Sequence, residues 1–298
     1  MKLIKQSFEF INQTDFSLVG IKKHIERCAR VSYKSEDKIT DTSYEKFVNM
    51  LESRGHDRPL EFGTVYLSRT SQKEDNMEWL DKYAYNPWSK FSFGNGSTRI
   101  NGELRNTIYV TTNYRVIKEH HWEDDLQYLC EPTEYHHKRY TVHMILDRGV
   151  MDEFRTHVGL SHLAESTRYC NYSKDKFGNE LTFIDPCWEI RTANERITPE
   201  GTHMSSDSLE FLTALNEAED HYLSLLAKGW TPQQARSVLP LGIKSELISC
   251  GFEDAWANFM RRRSPKYGDP GAHPMAAEIA DKLCEEFLKR GFIDEKKI

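Results

Sequence analysis

The 298-residue sequence has no run of about 18 apolar residues, so no helix able to cross a bilayer is expected. It has no charged-then-apolar leader either, and a cytoplasmic location is the expectation. Basic residues are not in excess: 40 Lys and Arg stand against 46 Asp and Glu, for a net charge of −6. A general grip on nucleic acid needs surplus cations to release phosphate counterions, so that partner is not expected. A small anionic substrate remains open, because a few converging arginines bind one inside an acidic protein. Cysteines are few and scattered, at 28, 130, 170, 187, 250 and 284, with no Cys-x-x-Cys pair. Zinc sites and disulfide frameworks announce themselves by spacing, so these are read as free thiols and no metal is expected. No Cys-centred signature surrounds Cys170, which is read as a small buried thiol rather than a nucleophile. Adjacent side chains diverge, so His120-His121 and His136-His137 are read as solvent-facing pairs. Gly-x-Gly-x-x-Gly and Gly-x-x-x-x-Gly-Lys loops are missing too, which excludes readable Rossmann and P-loop sites. Phosphate binding then falls to arginines, whose planar guanidinium meets phosphate in a bidentate, charge-assisted way.

What the chain does have is one stretch, 148–173, crowded with ionisable and hydroxyl side chains. A helix over 150–169, at about 100° per residue, would place His157, Ser161, Glu165 and Arg168 in one stripe roughly 80° wide. Such a stripe faces either water or a polar ligand. Around it the pattern predicts an edge strand over 2–11, then a helix carrying Leu18, Ile21, Ile25 and Cys28. A second helix is capped by Asp41 or Thr42, buries Tyr44, Phe47, Val48 and Leu51, and stops at Gly55. Strands are expected at 64–68, 108–117, 141–146 and 181–184, with a short helix over 123–130. Residues 70–105 show no clear period and are read as a polar excursion, able to cover a site or meet another subunit. A long helix is expected over 206–228. Thr231 caps the next one, with Pro232 at its first position and Pro240 at its end. His273 opens the last, over 274–290. The expected fold class is α+β, an antiparallel or mixed sheet with long helices, in one domain spanning 1–298.

His157, Ser166, Arg168 and Tyr169 resemble the signature of flavin-dependent thymidylate synthases, Arg-His-Arg, seven residues, Ser, one residue, Arg-Tyr. Thr156 and Val158 stand where that signature has its flanking arginines. Four further segments are similar to the same family and occur in its order. They are Ala29-Arg-Val-Ser32, the Gly55-His-Asp-Arg-Pro-Leu-Glu61 turn, Ala235-Arg-Ser-Val-Leu-Pro-Leu241, and Asn258-Phe259 running on to Arg263 and His273.

The resemblance implies reductive methylation of dUMP at C5 to dTMP. Methylenetetrahydrofolate gives the carbon, and FAD recharged by NADPH gives the hydride. It further implies a homotetramer whose sites draw residues from more than one chain. On the matched positions, Arg168 and Ser166 are the catalytic candidates, Arg168 holding charge that develops on the pyrimidine and Ser166 positioning it. Glu153, Glu165, Tyr169, Arg236 and Arg263 join them around the nucleotide. Ser32, Arg58, Glu61, His157, Ser161, Asn258 and His273 go to the flavin. The loss of the two signature arginines, which Arg155 could only partly replace, keeps two alternatives open. One is a different C5 modification, such as hydroxymethylation, or a dCMP substrate. The other is a homologue that binds nucleotide without turnover.

Overall fold

A computed structural model describes the chain except for residues 101–102, 169, 175–177 and 189–205, and except for the side chains at 73, 97–100, 103 and 206. The first elements are β1 (Lys2–Ile4), β2 (Ser7–Phe10), α1 (Leu18–Val31), α2 (Ser43–Ser53), β3 (Thr64–Ser71) and α3 (Lys73–Ala84). They are followed by β4 (Lys90–Ile100), β5 (Glu103–Asn113), α4 (Tyr114–Glu119), β6 (Arg139–Asp147), α5 (Arg148–Arg155) and β7 (Ser161–Ala164). The chain continues through β8 (Thr182–Ile184), α6 (Ser206–Ala227), α7 (Pro232–Ala235), β9 (Lys244–Phe252), α8 (Glu253–Arg263) and α9 (Pro274–Lys289). The architecture is α+β, as expected. Among the described residues there are three sheets: an antiparallel one in the order β2-β6-β9-β7, a second antiparallel one in the order β3-β5-β4, and a parallel β1-β8 pair.

Each sheet buries its apolar residues against helices. Ile21, Ile25 and Cys28 of α1 and Val48 and Leu51 of α2 pack with Val65, Leu67, Ile108 and Val110 of the β3-β5 layer. On the other sheet, Val142, Met144 and Leu247 meet Phe154, Trp256, Phe259, Ile279 and Phe287 from α5, α8 and α9. Full burial of side chains this large stabilises by ~1.5–3 kcal/mol each. Gly55, at φ +64, ends α2's segment in the left-handed region that glycine tolerates.

Several expectations need correcting. The region 70–105 holds regular structure: α3 sends Trp79, Leu80 and Tyr83 into the core, and β4 pairs with β5. Its helical period was masked because the buried face is aromatic and broken by charges. The strand expected over 108–117 ends at Asn113, whose side-chain oxygen accepts from Val116 N at 3.1 Å and starts α4. The helix expected over 123–130 is a 3-10 turn from Glu123 to Tyr128. His136 is not solvent-facing. It is 4% exposed, accepts from Thr133 N at 3.1 Å and reaches Leu67 O at 3.1 Å, and burial pushes its pKa down to about 4.

The largest correction concerns 150–169. Helix α5 stops at Arg155, Gly159 adopts φ +98, and the chain leaves as β7. The competing pull is β9, on which Ser161–Ala164 pair opposite Cys250–Leu247. Gly251 lets the turn close, since a Cβ there would sit 2.4 Å from Leu160 Cδ2 and 3.1 Å from Gly159 O. Strand β9 itself is buried along nearly its whole length, Ser245, Glu246 and Ser249 included, so it lacks the alternation that marks a half-buried strand.

Candidate functional site

The residues singled out in the sequence fall into two groups, one at the end of α5 and one just beyond β7. Asp147 starts α5 by accepting from Val150 N at 2.8 Å, and burial raises its pKa against the pull of those backbone N–H groups. Glu153 lies in the helix's last turn, where Arg263 from the end of α8 meets it twice. One guanidinium nitrogen reaches Glu153 Oε2 at 3.1 Å, and the other reaches the Glu153 carbonyl at 3.0 Å. That carbonyl also accepts from the Thr156 N–H at 3.3 Å and the Thr156 hydroxyl at 2.7 Å, so Arg263 joins the bonds that close the helix end.

His157 follows, 7% exposed, with its ring edge-on to Phe259 at 5.3 Å. Burial lowers its pKa first, and the charges of Arg263 and Arg262 lower it further, so the ring is neutral. Its Nε2 is closed to water and has no hydrogen-bond partner, and the same holds for Arg263 Nε. A cavity of about 390 Å³ opens here, lined by Thr156, His157, Val158, Asn258, Arg262 and Arg263. The fold thus brings His157, Asn258, Arg263 and Glu153 together.

His273 is placed differently. Its ring caps α9, accepting from Met275 N at 3.3 Å, and it borders a separate cavity of about 280 Å³ shared with Trp188, Phe211 and Leu241. Glu153 lines that cavity, while its partner Arg263 lines the one at His157.

The second group sits on an ionic cluster. Glu165, with a side chain 0% exposed, takes Lys244 Nζ at 2.8 Å and the Tyr172 hydroxyl at 3.1 Å. Lys244 and Lys34 both pair with Glu246, which also accepts from His143 at 2.9 Å, and His143 reaches Glu9 at 3.2 Å. Burial alone would raise the Glu246 pKa, but His143, Lys244 and Lys34 overturn that and hold it well below the usual carboxylate range. Burial pulls Lys244 the other way from its partners, and Glu165 and Glu246 keep its pKa raised.

The cluster fixes the turn above it. Glu165 N bonds Glu246 O at 2.8 Å, and Ser166 N bonds Ser32 O at 3.1 Å, which brings Ser32 to Ser166. Arg236 donates to Thr167 Oγ1 at 3.1 Å, beside the exposed Arg168. Tyr169 lies outside the described residues. Arg236 and Arg263 thus have different partners, Thr167 for one and Glu153 for the other, and form two arginine sets.

Ser161 leaves the expected helical stripe for β7, where its hydroxyl is buried without a partner. Glu61 is buried on Arg115, and its carbonyl accepts from Arg139 at 2.8 Å. Arg58 is exposed on the same 3-10 turn, close enough for its charge to act on His162. Cys170 is a buried thiol, its pKa pushed up to about 12 by burial.

Sequence reasoning missed Lys34, His143, Tyr172, Lys244 and Glu246. One signal was present: Lys244 and Glu246 are two apart, hence on one face of any strand that follows the matched heptapeptide.

A family model described as thymidylate synthase complementing protein, Thy1, matches residues 65–290. A search of curated proteins finds no significant match. Among solved structures, a UMP/dUMP methylase PolB from Streptomyces cacaoi bound with 5-Br dUMP is 15% identical, with 100% of this chain and 95% of that chain covered and a TM-score of 0.42. The same methylase bound with 5-Br UMP is 14% identical over 100% and 94%, with a TM-score of 0.43. The family match runs from β3 into the end of α9 and takes in both arginine sets and the altered signature between them. On that extent, the chain belongs to the thymidylate synthase complementing protein family, the flavin-dependent thymidylate synthases that its motifs resemble.

Proposed function

We propose that the chain converts dUMP to dTMP by reductive methylation at C5, with methylenetetrahydrofolate as carbon donor and NADPH as the source of reducing power. The observation that carries this reading is the pairing of Ser32 with Ser166 and of Arg236 with the Thr167-Arg168 turn. Residues separated by 134 and 69 positions meet at one short turn, in the combination that the motif resemblance implies. In this reading Arg168 and Arg236 hold the nucleotide, Ser166 positions it, and Glu165 anchors the turn from beneath.

The residues around His157 fit a polar, anionic cofactor. Two arginines and an amide line the space, and two nitrogens buried in its walls, His157 Nε2 and Arg263 Nε, lack partners. FAD bound there would supply the hydride. His157 and Asn258 would hold it, whereas Ser161, Ser32 and His273, which do not line this space in one chain, would reach a flavin only from elsewhere in the assembly. Arg58 and Glu61 would act at a distance, since Glu61 is already engaged by Arg115. Arg263 and Glu153 would face both cofactor and nucleotide. The two arginine sets then complete one another across subunits of a homotetramer, Arg263 of one chain facing Arg168 and Arg236 of another.

One observation favours a second reading, in which the same nucleotide site serves another C5 modification or a dCMP substrate. Thr156 and Val158, in place of the two signature arginines, line the His157 cavity. A single preparation separates the readings. Yellow protein with FAD absorbance that oxidises NADPH faster when dUMP is added supports the methylation. Colourless protein that converts dUMP or dCMP with methylenetetrahydrofolate alone supports the second reading. Nucleotide binding without product in any mixture reduces the chain to a binding homologue.

A further inference from the structure

The two walls of the 390 Å³ cavity carry charge very unequally. One wall is the turn Thr156-His157-Val158, which has no charged group because His157 is held neutral by burial and by the nearby arginines. The other wall is the last turn of α8, with Asn258, Arg262 and Arg263. Arg263 is partly neutralised by Glu153 at 3.1 Å. Arg262 is not. Its contact is a long one, Nε to Asn258 Oδ1 at 3.4 Å, and no acidic side chain pairs with it among the described residues. Its charge nevertheless reaches across the space, because it contributes to lowering the His157 pKa. The cavity therefore holds an uncompensated guanidinium on one side and, on the other, a mostly buried neutral ring and two uncharged side chains. A guanidinium without a carboxylate partner at the edge of a cavity selects an anion.

We propose that this cavity is a phosphoryl-binding site in which Arg262 supplies, from the α8 wall, the positive charge that Thr156 and Val158 do not supply from the turn. The charge has moved across the space rather than disappeared. Phosphate oxygens meet the Arg262 fork, and Arg263 keeps its bridge to Glu153. The site rests on the flavin and nucleotide reading only for which ligand brings the phosphoryl group, the pyrophosphate of FAD or the monophosphate of dUMP.

The test uses the purified full chain, its Arg262→Gln variant, and the double variant Arg262→Gln/Val158→Arg, titrated with inorganic pyrophosphate, FAD and dUMP in a calorimeter. Arg262 is exposed and Val158 is 86% exposed, so neither change disturbs the core. Loss of one charge-assisted contact weakens pyrophosphate binding about tenfold, and Val158→Arg restores it from the opposite wall. If FAD binding falls in step and dUMP binding does not, the flavin brings the phosphoryl group; the reverse assigns it to the nucleotide. Wild-type protein that binds pyrophosphate but neither FAD nor dUMP leaves the anion site standing and removes the proposed function. Unchanged titrations in Arg262→Gln, no pyrophosphate binding by the wild type, or a loss that accompanies a lower Tm and is not restored by Val158→Arg overturn the proposal.

Discussion

The charges beneath the Ser166-Arg168 turn and the charges around His157 differ in what is left over. Under the turn, Glu165, Lys244, Glu246, Lys34, His143 and Tyr172 form a chain of ion pairs and hydrogen bonds in which Glu165 and Glu246 each meet at least two partners. Around His157, two nitrogens are sealed from water with nothing to bond. Both regions are buried and both are rich in ionisable groups, so burial and charge alone do not tell a support from a site. The remainder does: a satisfied cluster has done its work inside the chain, whereas an unsatisfied one waits for something outside it. The contrast also separates two kinds of energetic consequence. Damage to the first region should fall on folding, and damage to the second on binding.

The largest effect expected from this contrast is on Lys244. Lys244→Met leaves Glu165 and Glu246 buried with one cation fewer, and breaking a buried pair from one side costs ~3–5 kcal/mol. Denaturant unfolding of the variant should show a midpoint lowered accordingly. A loss below about 1 kcal/mol would mean that the cluster is not the support described here.

Acid comes next. His24, His136 and His162 are neutral in the fold, with pKa values pushed down by burial to about 3, about 4 and about 4 from an ordinary 6.5. The unfolded chain takes up their protons first, so stability is fully present above pH 6.5 and falls as pH drops toward 4. Glu246 works in the same direction but lower, its contribution present above its ordinary 4.5 and lost below it. Thermal unfolding across this range should therefore show Tm rising with pH, and Glu246→Gln should flatten only the segment below 4.5. A flat profile between 4 and 6.5 would show that these histidines protonate in place.

Arg263→Ala sharpens the comparison from the other side. Glu153 is 40% exposed, so water can replace its lost partner and unfolding should shift by only ~1 kcal/mol. Nucleotide or flavin affinity should nonetheless fall by about tenfold or more, since a charge-assisted contact to phosphate is removed. A large stability loss with unchanged affinity would place Arg263 among the supports.

How much of this could be read from the sequence follows the same division. The helical stripe of α1, the cap at Thr231 and the opening of α9 at His273 were legible because local spacing determines them. The meeting of Ser32 with Ser166 and of Arg236 with the Thr167-Arg168 turn was reachable through motif resemblance, which carries long-range contacts that periodicity cannot. The end of α5 was not legible, because the pairing of Ser161–Ala164 with β9 overrides a helical pattern, and β9 was itself hidden by its buried polar residues. Lys244 and Glu246 were missed for that reason. Arg262 carries no signal of its own in the sequence, and only the fold puts it and His157 on the same cavity.

Arg155 offers the smallest expected effect and a direct check on where the missing signature charge went. It adjoins Thr156 in sequence, which makes it the obvious local substitute for the first lost arginine. Its side chain, however, is 48% exposed and turned back on Asp152 at 3.2 Å, and it is not among the residues lining the His157 cavity. An exposed pair of this kind contributes ~0.2–1 kcal/mol, and Arg155→Ala should leave FAD and dUMP affinity at the wild-type level. Titrating that variant beside Arg262→Gln compares the near residue in sequence with the near residue in space. If Arg155→Ala weakens binding and Arg262→Gln does not, the charge stayed on the α5 side of the cavity and the unequal walls are a feature of the free chain alone.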